Sequence, residues 1–491
     1  MRQVITHHGD LFSPPIDKIE IDVNSRDEIP EILLGLRSIY SEPTSRGLVF
    51  DILHREIIDP VRNPHLGRHG MDLWNILVFG SLRLGCNCDY DKLKELGDQH
   101  RTVRAIVGLN IYDSAITFPL QTLKDNVSLL TEKLMDKINQ VVVNLGHKAL
   151  GKKPDEPLRG SADSSVVKTN IEYPTDIGIL FDAVQGMVRF AMRLCDAADL
   201  TGWRKGKLHL REAKKLFRLA QQKKRGTKAS AEAIINAHKA YIELVKMLIN
   251  KIEGTISEVT PVDPQNSRVV GLIMEVNNNI YHAKRQIDQI YRRVVEGETI
   301  PHHEKVFSIF EEHTEWISKG KAGVPVELGK RICFIKDQFG FILHHIVMEN
   351  VTDDKVAVPI VQEAKERFPL LDSCSFDKGF HSPENQKRLA EIINLVILPR
   401  KGRLSKAAKL IENSEDFREG RRKHSAVEST IGALQNHGLD KCPDHGLDGF
   451  KKYVALGVLA RNLQILGHNV REQERKKRKR AEKRRHFRLA A

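Results

Sequence analysis

Three acidic residues have the type and setting that metal-dependent chemistry requires. Asp163 lies within a predicted strand, Asp377 follows the end of another, and Glu428 lies on a predicted helix beside an apolar stripe. Carboxylates that converge from three elements suit two Mg²⁺ or Mn²⁺ ions, which prefer oxygen ligands and promote in-line phosphoryl displacement. Because the chain has 64 Asp and Glu residues, spacing alone does not single out these three.

The residues around the three carboxylates form motifs, and these are more specific than the spacing. The motifs are Asp163-Ser164-Ser165-Val166-Val167 continuing to Tyr173-Pro174-Thr175-Asp176, Phe376-Asp377-Lys378-Gly379-Phe380-His381-Ser382, and His424-Ser425-Ala426-Val427-Glu428-Ser429 with Arg421 and Arg422 upstream. In this order they resemble the first-aspartate, second-aspartate and glutamate motifs of DDE transposases of bacterial insertion sequences, in a version associated with ISNCY-type elements. The segment 69–107 also resembles the helical domain that commonly precedes their catalytic domain.

The resemblance implies an RNase H-like catalytic domain in which Asp163, Asp377 and Glu428 are catalytic and bind two Mg²⁺ or Mn²⁺ ions. It implies cleavage at the ends of the element and transfer of the freed 3′ hydroxyl into target DNA. The chain departs from many relatives four residues before the glutamate, where His424 replaces an arginine. Arg422 could supply the missing charge, and His424 could still donate a hydrogen bond to phosphate.

Each of the three carboxylates also has a purely structural interpretation. Asp163 could end a strand, although a buried carboxylate needs a partner. Asp377 could begin a turn with Gly379. Glu428 could be an ordinary surface residue of its helix. The motifs favour the catalytic interpretation at all three positions.

Basic residues outside the motifs are candidates for DNA contacts. Arg101 and Arg104 end a helical region that could read element ends in a groove, although a structural bundle is an alternative. Lys378 follows the second aspartate, and Arg461-Asn462 could face the active site. The carboxyl-terminal tail should bind phosphates without sequence preference through a basic run of six residues, Arg475, Lys476, Lys477, Arg478, Lys479 and Arg480.

The elements expected to position these residues form an α/β pattern. Apolar spacing predicts one short helix over 31–40, a bundle of short helices over 71–108 and one helix over 120–145. Strands are predicted at 158–170, 305–310, 326–336, 339–347, 370–376 and 395–398. Helices are predicted at 358–367, from Ser382-Pro383 onward, and at 419–437 and 448–466. This order predicts a mixed sheet flanked by helices.

The same pattern predicts a division of the chain into domains. We expect an irregular arm with short helices at 1–66 and a helical, DNA-end-binding domain with its connector at 67–150. The catalytic domain would comprise 151–200 and 301–470. A helical insertion whose polar faces look solvated would occupy 201–300, with an independent coiled coil as the alternative. A basic tail would follow at 471–491.

Composition excludes several protein classes and favours a polyanionic partner. The chain has 491 residues, 41% hydrophobic and 29% charged, with a formal net charge of +14. Eleven Lys and Arg against three Glu between 471 and 488 supply about +8 of this charge. No apolar stretch approaches the roughly 20 residues of a membrane span. The first residues lack a secretory pattern and the six cysteines are scattered, so we expect a cytoplasmic, nucleoid-associated protein.

These observations favour an insertion-sequence transposase that binds double-stranded DNA, both element ends and target. We expect a homodimer or larger assembly, because two ends must be handled. Two alternatives stay open: a domesticated DNA-binding relative without catalysis, and an RNase H-like nuclease without strand transfer.

Overall fold

A computed structural model describes residues 3–5, 15–58, 70–110, 112–223, 230–259, 266–318 and 326–490, with side chains up to Lys483. Parts of the predicted arm at 1–66, the first three residues of the predicted domain at 67–150 and the end of the basic tail lie outside this description. The chain forms two compact units, one of residues 1–168 with 329–491 and one of residues 169–328. The predicted domain boundaries stay a prediction.

The first unit begins with helices. Within the described residues they are α1 (Ile29–Ser41), α2 (Pro43–Ile57), α3 (Leu73–Gly85), α4 (Tyr90–Gln99), α5 (Arg101–Ile106), α6 (Leu120–Val127) and α7 (Glu132–Ala149). The predicted bundle over 71–108 is confirmed as α3 to α5. The single helix predicted at 120–145 is wrong, because the Thr131 hydroxyl accepts the Leu134 N–H at 3.2 Å and starts a separate helix there.

One mixed sheet follows the helices. Its strands are β1 (Leu158–Thr169), β2 (Glu315–Ser318), β3 (Val326–Lys336), β4 (Ile342–Val347), β5 (Leu371–Phe376), β6 (Leu395–Ile397) and β7 (Lys441–Cys442). The order is β2-β3-β1-β5-β6, with β4 also paired to β3 and β7 to β1. β1 runs antiparallel to β3 and parallel to β5, β5 runs parallel to β6, and β3 runs antiparallel to β4. The predicted α/β class and mixed sheet flanked by helices are confirmed.

The second unit is largely helical. Its helices are α8 (Asp176–Ala197), α9 (Gly206–Gln222), α10 (Ala231–Val259) and α11 (Ser267–Tyr291). They share a core that includes Tyr241 and Val276. The strand predicted at 305–310 is wrong: Arg285 and Gln289 of α11 donate hydrogen bonds to the Glu304 carbonyl, at 2.5 and 2.6 Å, and the chain after it is irregular.

The remaining helices belong to the first unit. They are α12 (Asp353–Arg367), α13 (Pro383–Ile392), α14 (Lys406–Glu412), α15 (Glu415–His424), α16 (Val427–Leu434) and α17 (Gly446–Ala490). Ser382 caps α13 through the Asn385 N–H, as its sequence predicts. α17 joins the predicted helix at 448–466 and the basic tail into one helix of 45 residues. None of the described helices has the length and apolarity to cross a membrane.

The first and last helices of this unit are in close contact. A Cβ atom added to Gly467 of α17 would lie 1.8 Å from the Glu31 carbonyl oxygen of α1, and one added to Gly35 would lie 2.4 Å from the Leu463 carbonyl oxygen. Only glycine fits at both positions. Asn462 of α17 is fully buried and accepts the Ile342 N–H of β4 at 2.9 Å, so it fixes the helix to the sheet. The sequence suggested that it could face the active site; its side chain faces β4 instead.

Candidate active site

Asp163 and Asp377 lie side by side on neighbouring strands. The parallel register of β1 and β5 pairs Ala162 with Phe376, and each aspartate is the next residue. Asp163 also pairs with Phe334 of β3, so it lies in the middle of the sheet. The two predicted catalytic aspartates, 214 residues apart in the sequence, are therefore close together in space.

Asp163 has the most perturbed environment of the predicted site residues. Its side chain is half-buried, and its Oδ1 accepts the Ser164 N–H at 2.7 Å. The pKa of Asp163 is raised to about 6, mainly by burial; that hydrogen bond opposes the rise, and the charges of Asp377, Asp353 and Glu428 contribute to it. These electrostatic interactions link four carboxylates from four elements, which we call the carboxylate cluster.

Asp377 is exposed at the end of β5, where the chain turns sharply. The Phe380 N–H donates to the Asp377 carbonyl at 3.2 Å, and the buried Phe380 ring packs 5.5 Å from the Phe376 ring. This packing anchors the turn. Lys378, a predicted DNA contact, is exposed beside it.

Glu428 is the second residue of α16, and its side chain is exposed while Val427 is buried. The continuous helix predicted at 419–437 is wrong, because α15 ends at His424 and a two-residue turn separates it from α16. Lys336 of β3 donates a 2.6 Å hydrogen bond from its Nζ to the Ala426 carbonyl within that turn. The start of the glutamate helix is thereby held to the sheet.

His424, at the position of the departure from the family motif, is half-buried against the sheet. Its Nδ1 lies 3.1 Å from Ser375 Oγ, which lies 2.9 Å from Ser161 Oγ. Burial lowers the pKa of His424, as does Lys336, while the charges of Asp377 and Glu428 oppose this. The Nδ1 atom of His424 thus contacts Ser375, and a hydrogen bond from His424 to phosphate stays a prediction.

A cavity of about 610 Å³ lies under α15, beside the cluster. Ser161 and Ser375, each two residues before an aspartate, line it together with the exposed Arg422. Arg159 and Lys423 add two further cations to its wall. Asp337, Asp416 and Glu419 line the same cavity, so its wall carries charges of both signs.

Asp353, the first residue of α12, is the member of the cluster that the sequence did not reveal. Its Oδ1 is buried and has no hydrogen-bond partner among the described residues. A Cβ atom at Gly379 would lie 3.0 Å from its Oδ2. In the sequence, Thr352-Asp353-Asp354 has only the pattern of a helix start.

The donor set of the cluster fits a hard divalent cation. Carboxylate oxygens are the ligands that such ions prefer. The partnerless buried oxygen of Asp353 and the raised pKa of Asp163 both show negative charge that the protein itself leaves uncompensated. A bound cation would compensate it.

The predicted DNA contacts of the amino-terminal helices differ in exposure. Arg101 is exposed at the start of α5. Arg104 is buried, and its guanidinium donates to four carbonyls, those of Gly97, Asp98, Asp113 and Ile116. The prediction that Arg104 binds phosphate is therefore wrong, because its donors organise the loop between α5 and α6.

The basic run on α17 is helical and divides into two parts. Arg475 donates a 2.7 Å hydrogen bond from its Nε to the Val23 carbonyl, and so part of its guanidinium is engaged. The five residues that follow are exposed: Lys476, Lys477, Arg478, Lys479 and Arg480.

Among the described residues, the one group of three or more metal-ligand types whose donor atoms converge lies elsewhere, where α7 meets β4. Asp136, His344 and His345 bring one ligand atom each to within 4.8 Å of one another. However, Arg367 donates to His344 Nδ1 and binds Asp136 at 2.9 Å, and His344 Nε2 lies 3.0 Å from Glu363. Because the guanidinium already supplies the positive charge, we interpret this group as an ion-pair network.

A mixed sheet that brings carboxylates together from several elements is typical of metal-dependent phosphoryl-transfer enzymes. Residues 288–463 match the family model described as "Transposase DDE domain". This match confirms the resemblance of the chain to DDE-type transposases. The match includes Asp377 and Glu428 but begins after Asp163, and the ISNCY type stays a prediction.

No curated protein matches the chain. No solved structure matches it either. The family implies a transposase that binds DNA, and DDE transposases generally use divalent metal ions.

Proposed function

We propose that the protein is an insertion-sequence transposase, which cleaves DNA at the ends of its element and transfers the freed strands into target DNA. The observation that carries this proposal is the carboxylate cluster inside a chain with a transposase DDE domain. Asp163, Asp377 and Glu428 are the proposed catalytic, metal-binding residues. The protein would act on double-stranded DNA at the nucleoid, as a dimer or larger assembly on paired ends.

We propose further that the sheet is RNase H-like. The strand order β4-β3-β1-β5-β6 supports this, as do the antiparallel contact of β1 with β3 and its parallel contact with β5. In this arrangement the first aspartate lies on the central strand and the second at the end of its parallel neighbour.

The residues of the cluster have distinct tasks in this proposal. Two Mg²⁺ or Mn²⁺ ions, when bound, would activate the attacking oxygen and stabilise the leaving oxygen. Asp163 is fixed by its pairing with Phe334 of β3 and by the preceding residue, which pairs with β5. Glu428 is oriented through the turn that Lys336 holds. Asp377, on its anchored turn, is exposed to an approaching DNA strand.

Cations around the cluster would position the DNA backbone. Arg422 is exposed on α15, and Lys378 is exposed directly after β5 and Asp377. His424 contributes by packing α15 onto β5 through Ser375. Arg101 is a candidate contact with an element end, and the tail adds phosphate contacts that do not depend on sequence.

Replacement of the second aspartate tests the catalytic proposal. Asp377→Asn should abolish cleavage and joining of a labelled duplex taken from the flanks of the gene in Mg²⁺ or Mn²⁺, while DNA binding in EDTA stays near that of the wild type. The reason is that the amide removes a ligand charge at an exposed position without altering the core. Asp372→Asn, on the same strand outside the cluster, is the matched control and should cut normally.

Three results would contradict the proposal in different ways. Normal cutting by Asp377→Asn would mean that the cluster is misassigned. Cutting without joined products would indicate a nuclease without strand transfer. Binding with no cut in either metal would indicate a DNA-binding relative without catalysis.

Asp353 is the proposed fourth ligand of the cluster, and calorimetric titration with Mn²⁺ tests it without DNA. Asp353→Asn should weaken Mn²⁺ binding by about tenfold or more, as losses around metal sites do. Asp354→Asn is the control, because that neighbouring carboxylate accepts a 2.5 Å hydrogen bond from the Thr352 hydroxyl. Equal Mn²⁺ affinity of the two variants would exclude Asp353 as a ligand.

A further inference from the structure

Helix α9 of the second unit presents a strongly basic surface. Seven exposed cations lie on it or just before it, and we call them the basic face: Arg204, Lys205, Lys207, Arg211, Lys214, Lys215 and Arg218. Glu212 is the only acidic residue between 204 and 223. Among the described residues, none of the seven cations forms an ion pair.

The cations of α9 share one side of the helix. At 3.6 residues per turn, the five from Lys207 to Arg218 fall within an arc of about 100° and span about 17 Å along the axis. The opposite side packs into the unit, where Ala213 and Ala220 are buried and the Phe217 ring stacks 5.0 Å from the Phe181 ring. The basic face is therefore held on a fixed support.

The arrangement of these charges does not stabilise the helix. Lys207 and Arg211, Arg211 and Lys215, and Lys214 and Arg218 are like-charged pairs four residues apart, and such pairs destabilise a helix. Arg204, Lys205 and Lys207 lie at the helix amino terminus, where the macrodipole disfavours positive charge. Helix stability therefore does not account for the basic face.

On neighbouring helices of the same unit, exposed cations form ion pairs with exposed carboxylates. On α10, Lys246 pairs with Glu243 at 3.0 Å, and Lys284 of α11 pairs with Glu253 at 2.7 Å. Their charges are balanced within the unit. On α9 the balancing charge is absent among the described residues, which calls for an external anion.

We infer that the basic face binds the phosphate backbone of duplex DNA. The inference rests on the proposed function, since it extends the DNA-binding surface of the transposase to a helix outside the matched family region. Duplex DNA carries one negative charge per about 1.7 Å of its axis, so a helix face of this length meets several phosphates. Their charge relieves the repulsion among the cations. The contact is with the backbone and does not depend on base sequence.

The test compares two variants of the full chain with equal loss of charge. The first is Arg211→Gln, Lys214→Gln, Lys215→Gln and Arg218→Gln. The control is Lys239→Gln, Lys246→Gln, Arg268→Gln and Lys284→Gln, which removes four exposed cations from α10 and α11. Fluorescence anisotropy with a labelled duplex of unrelated sequence, in EDTA and at several NaCl concentrations, measures affinity without cleavage.

The first variant should bind the duplex more weakly than the control. The slope of log affinity against log salt should decrease by up to about 3.6, because each lost phosphate contact removes about 0.9. The slope of the control should stay near that of the wild type. Equal slopes for the two variants would overturn the inference, as would a loss of binding to phosphatidylserine vesicles with duplex binding unchanged.

Two further readouts separate this result from other failures. Urea unfolding of the first variant should occur at the same or a higher concentration than in the wild type, because like-charged pairs are removed; a lower midpoint would contradict the repulsion argument. The proposed function stands or falls on cleavage by Asp377→Asn, measured separately. A wild-type protein that binds no duplex would overturn both proposals.

Discussion

The central position of Asp163 in the sheet makes its ionised form less stable. It is flanked by strands on both sides, and three other carboxylates add to the burial that raises its pKa to about 6. Ionisation of this carboxyl is therefore less favourable in the fold than in the unfolded chain, and a bound cation would offset the difference. A residue proposed to hold a metal is thus one whose ionised form destabilises the protein.

This conflict predicts the effect of Asp163→Asn on stability. A carboxyl whose pKa is raised on folding stabilises the fold below its unfolded pKa, near 3.8, and loses that contribution as the pH rises through about 6. In EDTA at pH 7.5, the variant should be more stable than the wild type by up to about 3 kcal/mol. The difference should shrink as the pH falls from 6 to 4. Urea unfolding of both proteins at pH 7.5 and at pH 4 measures this difference.

Asp155→Asn is the control for that measurement, since Asp155 is exposed and outside the cluster. It should change stability little at either pH. A destabilised Asp163→Asn protein at pH 7.5 would mean that the carboxylate has a stabilising partner in solution.

The residue-level prediction reached three of the four clustered carboxylates, because each lies in a recognisable motif. Asp353 was missed because its role depends on the approach of α12 to Gly379, which no local pattern encodes. Arg104 was misassigned because its partners, too, are set by tertiary structure and not by a local pattern. Its four carbonyl partners lie up to 12 residues away in the sequence.

At the scale of elements, periodicity predicted the strands well where both faces of the sheet are covered. β1, β3, β5 and β6 have the predicted positions within one or two residues. Periodicity failed where tertiary contacts override the local pattern. An example is the break between α15 and α16, where Lys336 of β3 donates a hydrogen bond to the turn between the two helices. The prediction at 305–310 failed where α11 donates hydrogen bonds to the carbonyl of Glu304, just before the segment.

The long helix α17 makes the position of a truncation decisive. Arg471 binds Glu31 at 2.6 Å and Glu474 binds Arg37 at 2.5 Å, so the turn from 471 to 475 anchors α1. Deleting 476–491 should weaken binding to all DNA sequences and flatten its salt dependence while the melting temperature stays near that of the full chain. Deleting 471–491 should also lower the melting temperature.

Anisotropy titrations and thermal melting of the two truncated proteins separate these effects. If both deletions lowered the melting temperature equally, the contacts of 471–475 with α1 would not be what anchors the tail. If neither altered the salt dependence, the exposed cations of the tail would not contact phosphate.

At the scale of the whole molecule, the sequence predicted the α/β class and the order of the motifs. It could not predict which strands are neighbours, because the β1–β5 register joins residues more than 200 positions apart. It also treated the polar faces of 201–300 as solvated. The charge on α9 becomes informative only once the helix is known to have one side packed and all its cations on the other.

The contact between α1 and α17 has a consequence for the order of events during protein synthesis. At 5–20 residues per second, a ribosome needs roughly 20 to 90 s to proceed from Glu31 to Arg471. Until then α1 lacks its helical partner, and the cluster lacks Glu428 for nearly as long. Residues 169–328, which are continuous in the sequence, can complete their own core earlier. The nascent chain therefore presents a folded, basic unit well before it can assemble the carboxylate cluster.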